Sequence, residues 1–274
     1  MWALEQPWIL RQRAVFADTP FALLATLGGV WLAIAWLAAG GWIPDEFLRI
    51  ATLTAIHGGP LAVALAWSQA DTGERLPRGA LTITIALAVG GAVAVTLDGP
   101  AALALAGTPA WLVILAVRGQ LAALGVGPRV PLRPVLVGAT IGALLGGHLL
   151  YSASQMLGYP LRREGWLALL VLWTYDVGAN AISTECFFRG ALFNRLQRRW
   201  SFSPAAALAT ALSLVRYLCD PLLAGQVEVM VGALFYATLR GVVNSWLLWW
   251  SGSLAPGLVA SAVFFLAYRA LAIE

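Results

Sequence analysis

Apolar runs of roughly twenty residues follow one another along this chain, each long enough to cross a bilayer. They fall at about 20–43, 47–69, 80–97, 100–118, 134–157, 166–192, 203–219, 226–250 and 253–272. Most charges lie in the segments between them. Only 11% of the 274 residues are charged and 60% are hydrophobic, against roughly a quarter charged in soluble domains. A water-soluble fold of this composition would expose large apolar patches. The expected class is therefore all-α, a polytopic transmembrane bundle of eight or nine spans in the lipid bilayer. The net charge of +4 is explained by arginines in loops on one side of a membrane, and no nucleic-acid partner is expected.

Arginine placement orients the spans. Arg11 and Arg13, then Arg75 and Arg78, then Arg118, Arg129 and Arg133, then Arg195, Arg198 and Arg199 fall in one set of alternate segments. The other set carries Asp45, Glu46 and Arg49, then Asp98, then Arg162, Arg163 and Glu164, then Glu228. The first set is richer in arginine, which predicts a cytoplasmic N-terminus in a bacterial inner membrane. Residues 1–19 mix Trp2, Trp8, Leu10, Val15 and Phe16 with Arg11 and Arg13, and read as an amphipathic interfacial segment. The Pro- and Gly-rich stretch 119–133 reads as a cytoplasmic joint between a four-span part, 20–118, and a core, 134–274. Trp42, Trp166, Trp200, Trp249 and Trp250 lie near span ends, as an aromatic belt would. Gly138, Gly142, Gly146 and Gly147 give the fifth span a small-residue stripe, which predicts close helix packing.

Charges inside spans are costly, so they pair and face the bundle interior. Glu185 and Arg189 are four residues apart on one helix, as are Arg216 and Asp220, while Arg240 lies in the eighth span. Asp176 and Asn180 form another polar pair in the sixth. These residues predict a buried network joining spans six, seven and eight, either structural or able to handle a polar group or water. The two histidines, His57 and His148, are flanked by glycines. Small neighbours leave room for a haem or chlorophyll-type pigment over an imidazole. The plainer expectation is a hydrogen bond between helices, with Asp176 a possible partner at similar depth. Cys186 and Cys219 form no CxxC pattern and predict no metal site. Nucleotide, zincin and serine-hydrolase motifs are absent from the sequence.

The stretch Thr184-Glu185-Cys186-Phe187-Phe188-Arg189-Gly190-Ala191-Leu192 resembles the first motif of the CPBP family, the CAAX prenyl proteases and bacteriocin self-immunity proteins. That motif reads Glu-Glu-x-x-x-Arg. Leu124-Gly125-Val126-Gly127 and Gly252-Ser253-Leu254-Ala255-Pro256 resemble the flanking pieces, and the likeness covers about 120–272. It implies an intramembrane endopeptidase core whose first Glu is the general base, with a histidine about 35 residues on and a later His-x-x-x-Asn. Here Thr184 stands for the first Glu, and Glu185 and Arg189 are kept. Cys219 or Asp220 stands for the histidine, depending on register. Ser261 and Phe265 fall where His-x-x-x-Asn is expected after the Gly-Ser-Leu turn.

Hydrolysis needs a base for water and donors for the oxyanion. Threonine is no base near neutral pH, and phenylalanine donates no hydrogen bond. The leading expectation is therefore a CPBP-type scaffold that has lost proteolysis and binds a protein partner in a membrane complex. The first alternative is a divergent endopeptidase with Glu185 as base. The second is a pigment- or haem-carrying subunit using His57 or His148. A transporter lined by the intramembrane charges is a further class, but the inverted repeats common in transporters are not visible.

Overall fold

The computed structural model describes residues 19–72, 79–97, 106–127, 132–162, 165–221 and 227–272. The amphipathic segment expected over 1–19 lies almost wholly outside these residues, as do Arg75, Arg78, Asp98, Arg129, Arg163 and Glu164 and the side chain of Glu228. Among the described residues the chain is a bundle of nine helical rods without a strand.

The first rod is α1 (Phe21–Ala39). The second is α2 (Asp45–Leu53), which runs through a π-helical turn at Thr54–Gly58 into α3 (Gly59–Thr72). Then come α4 (Ala80–Thr96), α5 (Gly107–Val117) and α6 (Leu132–Tyr151), the last extended by a π turn at Ser152–Met156. The sixth rod spans Trp166–Gln197 and changes pitch repeatedly. It comprises α7 (Trp166–Tyr175), a π turn at Asp176–Ala181, α8 (Ile182–Thr184), a π stretch at Glu185–Phe193 and α9 (Asn194–Gln197). The bundle closes with α10 (Phe202–Leu218), α11 (Val227–Ser251) and α12 (Ala255–Arg269).

Five rods are long and apolar enough to cross a membrane: Phe21–Ala39, Asp45–Asp71, Leu132–Met156, Trp166–Gln197 and Val231–Ser251. The four others, Ala80–Thr96, Gly107–Val117, Phe202–Leu218 and Ala255–Arg269, are shorter apolar helices among the described residues. Of the run expected at 100–118, residues 100–105 lie outside the described residues, and the described part holds α5, Gly107–Val117.

The apolar exterior marks the bilayer as solvent. α1 buries only Ala38, and Phe21, Val30, Leu32 and Trp36 face outward. Trp42, Trp166 and Trp200 are exposed at rod ends, as an aromatic belt requires. Trp249 instead packs on Phe202, with ring centroids 4.9 Å apart, and Trp250 stacks on Trp246 at 5.3 Å.

The glycine stripe of α6 does what its spacing predicts. A Cβ on Gly138 would lie 2.2 Å from the carbonyl oxygen of Pro256, and one on Gly142 would lie 2.4 Å from that of Ala260. At Gly146 it would meet the Ala267 methyl at 2.7 Å. The backbones of α6 and α12 are therefore in near contact. Gly147 faces open space and takes no part.

The main core joins α3, α5, α10 and the 185–193 stretch through Leu65, Leu115, Phe188, Leu192 and Phe193. The three sequence pieces that carried the family resemblance meet beside it. Gly125 adopts φ +78°, open to glycine but strained for other residues, and its carbonyl accepts from Leu254 N at 2.9 Å. A Cβ on Gly190 would press on Leu124 and Leu254.

Candidate functional site: a buried carboxylate among arginines

Glu185 opens the π-helical stretch of the sixth rod and is 1% exposed. One of its oxygens, Oε1, accepts hydrogen bonds from Asn244 Nδ2 on α11 at 2.7 Å and from Ser261 Oγ on α12 at 3.2 Å. Asn244 Nδ2 also reaches Ser261 Oγ at 3.0 Å, which closes a three-residue ring. Arg189 stands further off, its Nε 4.0 Å from Glu185 Oε2. The sequence reading made Arg189 the partner of the carboxylate. The structure gives that place to two neutral donors, with the guanidinium as a looser neighbour. Arg189 Nε also donates to Gly241 O at 3.4 Å, and a Cβ on Gly241 would collide with Arg189 Nη2. The missing side chain at 241 is what admits the arginine.

Arg189, Arg216 and Arg240 converge with Glu185, Thr184, Asn180 and Tyr217 on a cavity of about 10 Å³, roughly the room one water needs. Several buried atoms around it have no hydrogen-bond partner: Glu185 Oε2, Arg189 Nη1, Arg240 Nη1 and Asn244 Oδ1. The Thr184 hydroxyl, in the place of the expected base, turns to Asn180 Oδ1 at 3.5 Å.

Two register assignments from the sequence change here. Ser261 and Phe265 do reach the site, since Ser261 bonds Glu185 and the Phe265 ring lies 4.3 Å from the Arg240 guanidinium. The amide that faces the carboxylate, however, is Asn244. Arg240-Gly241-Val242-Val243-Asn244 repeats the spacing His-x-x-x-Asn with arginine for histidine, one rod earlier than the Gly-Ser-Leu turn suggested. Neither residue proposed for the second motif lines this cavity. Cys219 is an exposed free thiol, and Asp220 is buried against His57. Arg216 and Tyr217, one turn earlier on α10, line the cavity instead. The signal for Asn244 was present in the sequence, as an Arg and an Asn four apart in an otherwise apolar helix.

A second polar cluster adjoins the first. Arg216 Nη2 donates to His57 Nδ1, Arg216 Nη1 to Asn180 Oδ1 at 2.6 Å, and Arg216 Nε to Ile56 O at 3.0 Å. A guanidinium has donors only. His57 Nδ1 must therefore be the acceptor, which leaves the proton on Nε2. That nitrogen faces the Tyr175 hydroxyl at 2.9 Å and Asp220 Oδ2 at 3.9 Å. Both ring nitrogens thus have partners, and the gap beside the ring measures about 20 Å³. A macrocycle does not fit there, so the glycines around His57 serve packing. A Cβ on Gly58 would lie 2.4 Å from the Ala88 methyl. His148 bonds Tyr236 through Nδ1 at 2.7 Å, with Ser152 Oγ at 3.4 Å. Asp176 partners neither histidine: Arg269 holds it through two bonds of 2.5 and 3.0 Å.

The fold and site together define an all-α membrane protein with a buried carboxylate held between its C-terminal helices. Residues 166–266 match the family model described as Type II CAAX prenyl endopeptidase Rce1-like. The likeness to the CPBP family is therefore shown for the region that carries Glu185, Arg189, Arg216, Arg240, Asn244 and Ser261. No curated protein and no solved structure matches the chain.

Proposed function

We propose that this CPBP-type membrane protein binds what enters its central cleft and does not hydrolyse it, serving as a scaffold for a protein partner in a membrane complex. The observation that carries this reading is the composition of the Glu185 cavity. Three guanidiniums, Arg189, Arg216 and Arg240, face one carboxylate, and its lining contains no histidine and no second acid. Peptide hydrolysis needs a group that removes a proton from water as it attacks. Thr184 supplies none, and Glu185 Oε1 is engaged by Asn244 and Ser261. Excess positive charge in a buried cavity suits the capture of an anionic or polar group.

A specific observation supports the runner-up, a divergent endopeptidase with Glu185 as base. Glu185 Oε2 lacks a partner and borders space for one water. Purification from the native membrane separates the scaffold from a free-standing enzyme: a partner in fixed stoichiometry supports the scaffold, and a chain recovered alone that cleaves peptides overturns it. The arginine-rich segments favour a bacterial inner membrane with the N-terminus in the cytoplasm. A tag accessible only from the outside would reverse that orientation.

A further inference from the structure

Glu185 and Arg189 face each other without a direct hydrogen bond. Arg189 Nε lies 4.0 Å from Glu185 Oε2 and donates instead to Gly241 O at 3.4 Å. A polar contact across more than about 3.5 Å is commonly bridged by water. Three buried atoms, Glu185 Oε2, Arg189 Nη1 and Arg240 Nη1, have no hydrogen-bond partner in the protein. The residues that carry them line one cavity of about 10 Å³. Arg240 also rests on the Phe264 and Phe265 rings at 5.3 and 4.3 Å, which places its guanidinium at the cavity wall.

The chemistry of these atoms selects what can join them. A carboxylate oxygen only accepts hydrogen bonds, and a guanidinium nitrogen only donates them. The shared partner must therefore accept from two arginines and donate to one glutamate. A halide has no hydrogen for Glu185 Oε2 and would lie against a carboxylate. A metal cation would lie against two guanidiniums. A water molecule does both, with two hydrogens and two lone pairs. The cavity volume is about the least that holds one water, so it admits a single molecule.

We propose that the Glu185 cavity holds one resident water, which accepts from Arg189 Nη1 and Arg240 Nη1 and donates to Glu185 Oε2. Asn180 and Thr184, on the same lining, carry acceptor oxygens for its second hydrogen. The water completes the hold on the carboxylate. Asn244 and Ser261 bond Oε1 directly, and the arginines reach Oε2 through the water. It also ties α11, through Arg240, to the π-helical stretch that carries Glu185 and Arg189. A polar group entering the cavity has to displace it. This water site goes beyond the functional reading and does not depend on it, since it requires only the cavity and its three polar edges.

The test is a crystal structure of the purified full-length protein, at a resolution that shows backbone-bound waters, from matched crystals in sodium chloride and sodium bromide. One density peak should lie within about 2.6–3.2 Å of Glu185 Oε2, Arg189 Nη1 and Arg240 Nη1. It should give no anomalous signal in bromide. The absence of a peak, while waters on backbone groups elsewhere are visible, would overturn the site. A bromide signal there would overturn water as its occupant. Glu185→Ala removes the group that excludes anions and should admit bromide between the two arginines. Bromide missing from that variant would overturn the selecting role given to Glu185. If Glu185→Ala does not fold, the natural sequence decides the occupant alone. Peptide cleavage by the same preparation would overturn the non-hydrolytic reading and leave the water site standing. A missing peak without cleavage would overturn the water site alone.

Discussion

Asn244 Nδ2 donates to Glu185 Oε1 across 2.7 Å, linking α11 to the π-helical stretch of the sixth rod. This bond, with the 3.2 Å bond from Ser261, makes a neutral amide and a hydroxyl the immediate hold on the buried carboxylate. Hydrogen bonds to a charged group contribute about 1.5–3 kcal/mol. Asn244→Leu, close in volume, should therefore lower the thermal unfolding midpoint in detergent. Adding Glu185→Leu should recover part of the loss, because it removes the stranded charge. Additive losses in the double variant would mean that the two side chains do not interact.

Arg189→Ala should also destabilise the bundle. Arg189 is 1% exposed and fills the space left by Gly241. Its removal leaves both a cavity and a carboxylate with one charged neighbour fewer, and breaking a buried pair costs about 3–5 kcal/mol. The 4.0 Å separation puts the expected loss at the low end of that range. A variant that purifies with an unchanged unfolding midpoint would contradict the placement.

Gly142→Leu should separate α6 from α12. Any Cβ at 142 falls within 2.4 Å of the Ala260 carbonyl. Overpacking of this kind costs about 1–3 kcal/mol, and here backbone must move because the obstacle is backbone. Gly147→Leu, on the open side of the same helix, should leave the midpoint unchanged. Equal effects at 142 and 147 would mean that α6 is rotated from the position described.

His57→Leu should destabilise the protein and leave its visible spectrum unchanged. The substitution strands Arg216 Nη2 without its acceptor, at a cost of about 1–3 kcal/mol. A visible absorption band in the native protein that disappears with His57→Leu would make the histidine a pigment ligand instead.

The fold was legible because the bilayer imposes the pattern. Runs of apolar residues map onto all nine rods, and the stripe of Gly138, Gly142, Gly146 and Gly147 predicted a close helix approach without naming the partner, which is α12 and involves the first three glycines. The site was legible only in part, because contacts between rods depend on rotation and register. Glu185 and Arg189 stood out, since charge inside an apolar helix is rare. Their spacing suggested an ordinary helical pair, but the π-helical pitch from Glu185 to Phe193 alters which residues lie above one another. Asn244 is uncharged, and its place beside Glu185 depends on the rotation of α11, which its own sequence does not mark. Spacing alone leaves Cys219 or Asp220 for the second-motif histidine; the end of α10 exposes Cys219 and turns Asp220 to His57, and Arg216 and Tyr217 line the cavity.

The central claim is that the Glu185 cleft binds without hydrolysing. Its most direct test is single-turnover incubation of the purified protein, in excess, with a prenylated C-terminal peptide, alongside Glu185→Gln. The prediction is that both preparations leave the peptide intact at the buffer rate. Cleavage by the natural sequence that is lost in Glu185→Gln would contradict it and make Glu185 the base of an active endopeptidase.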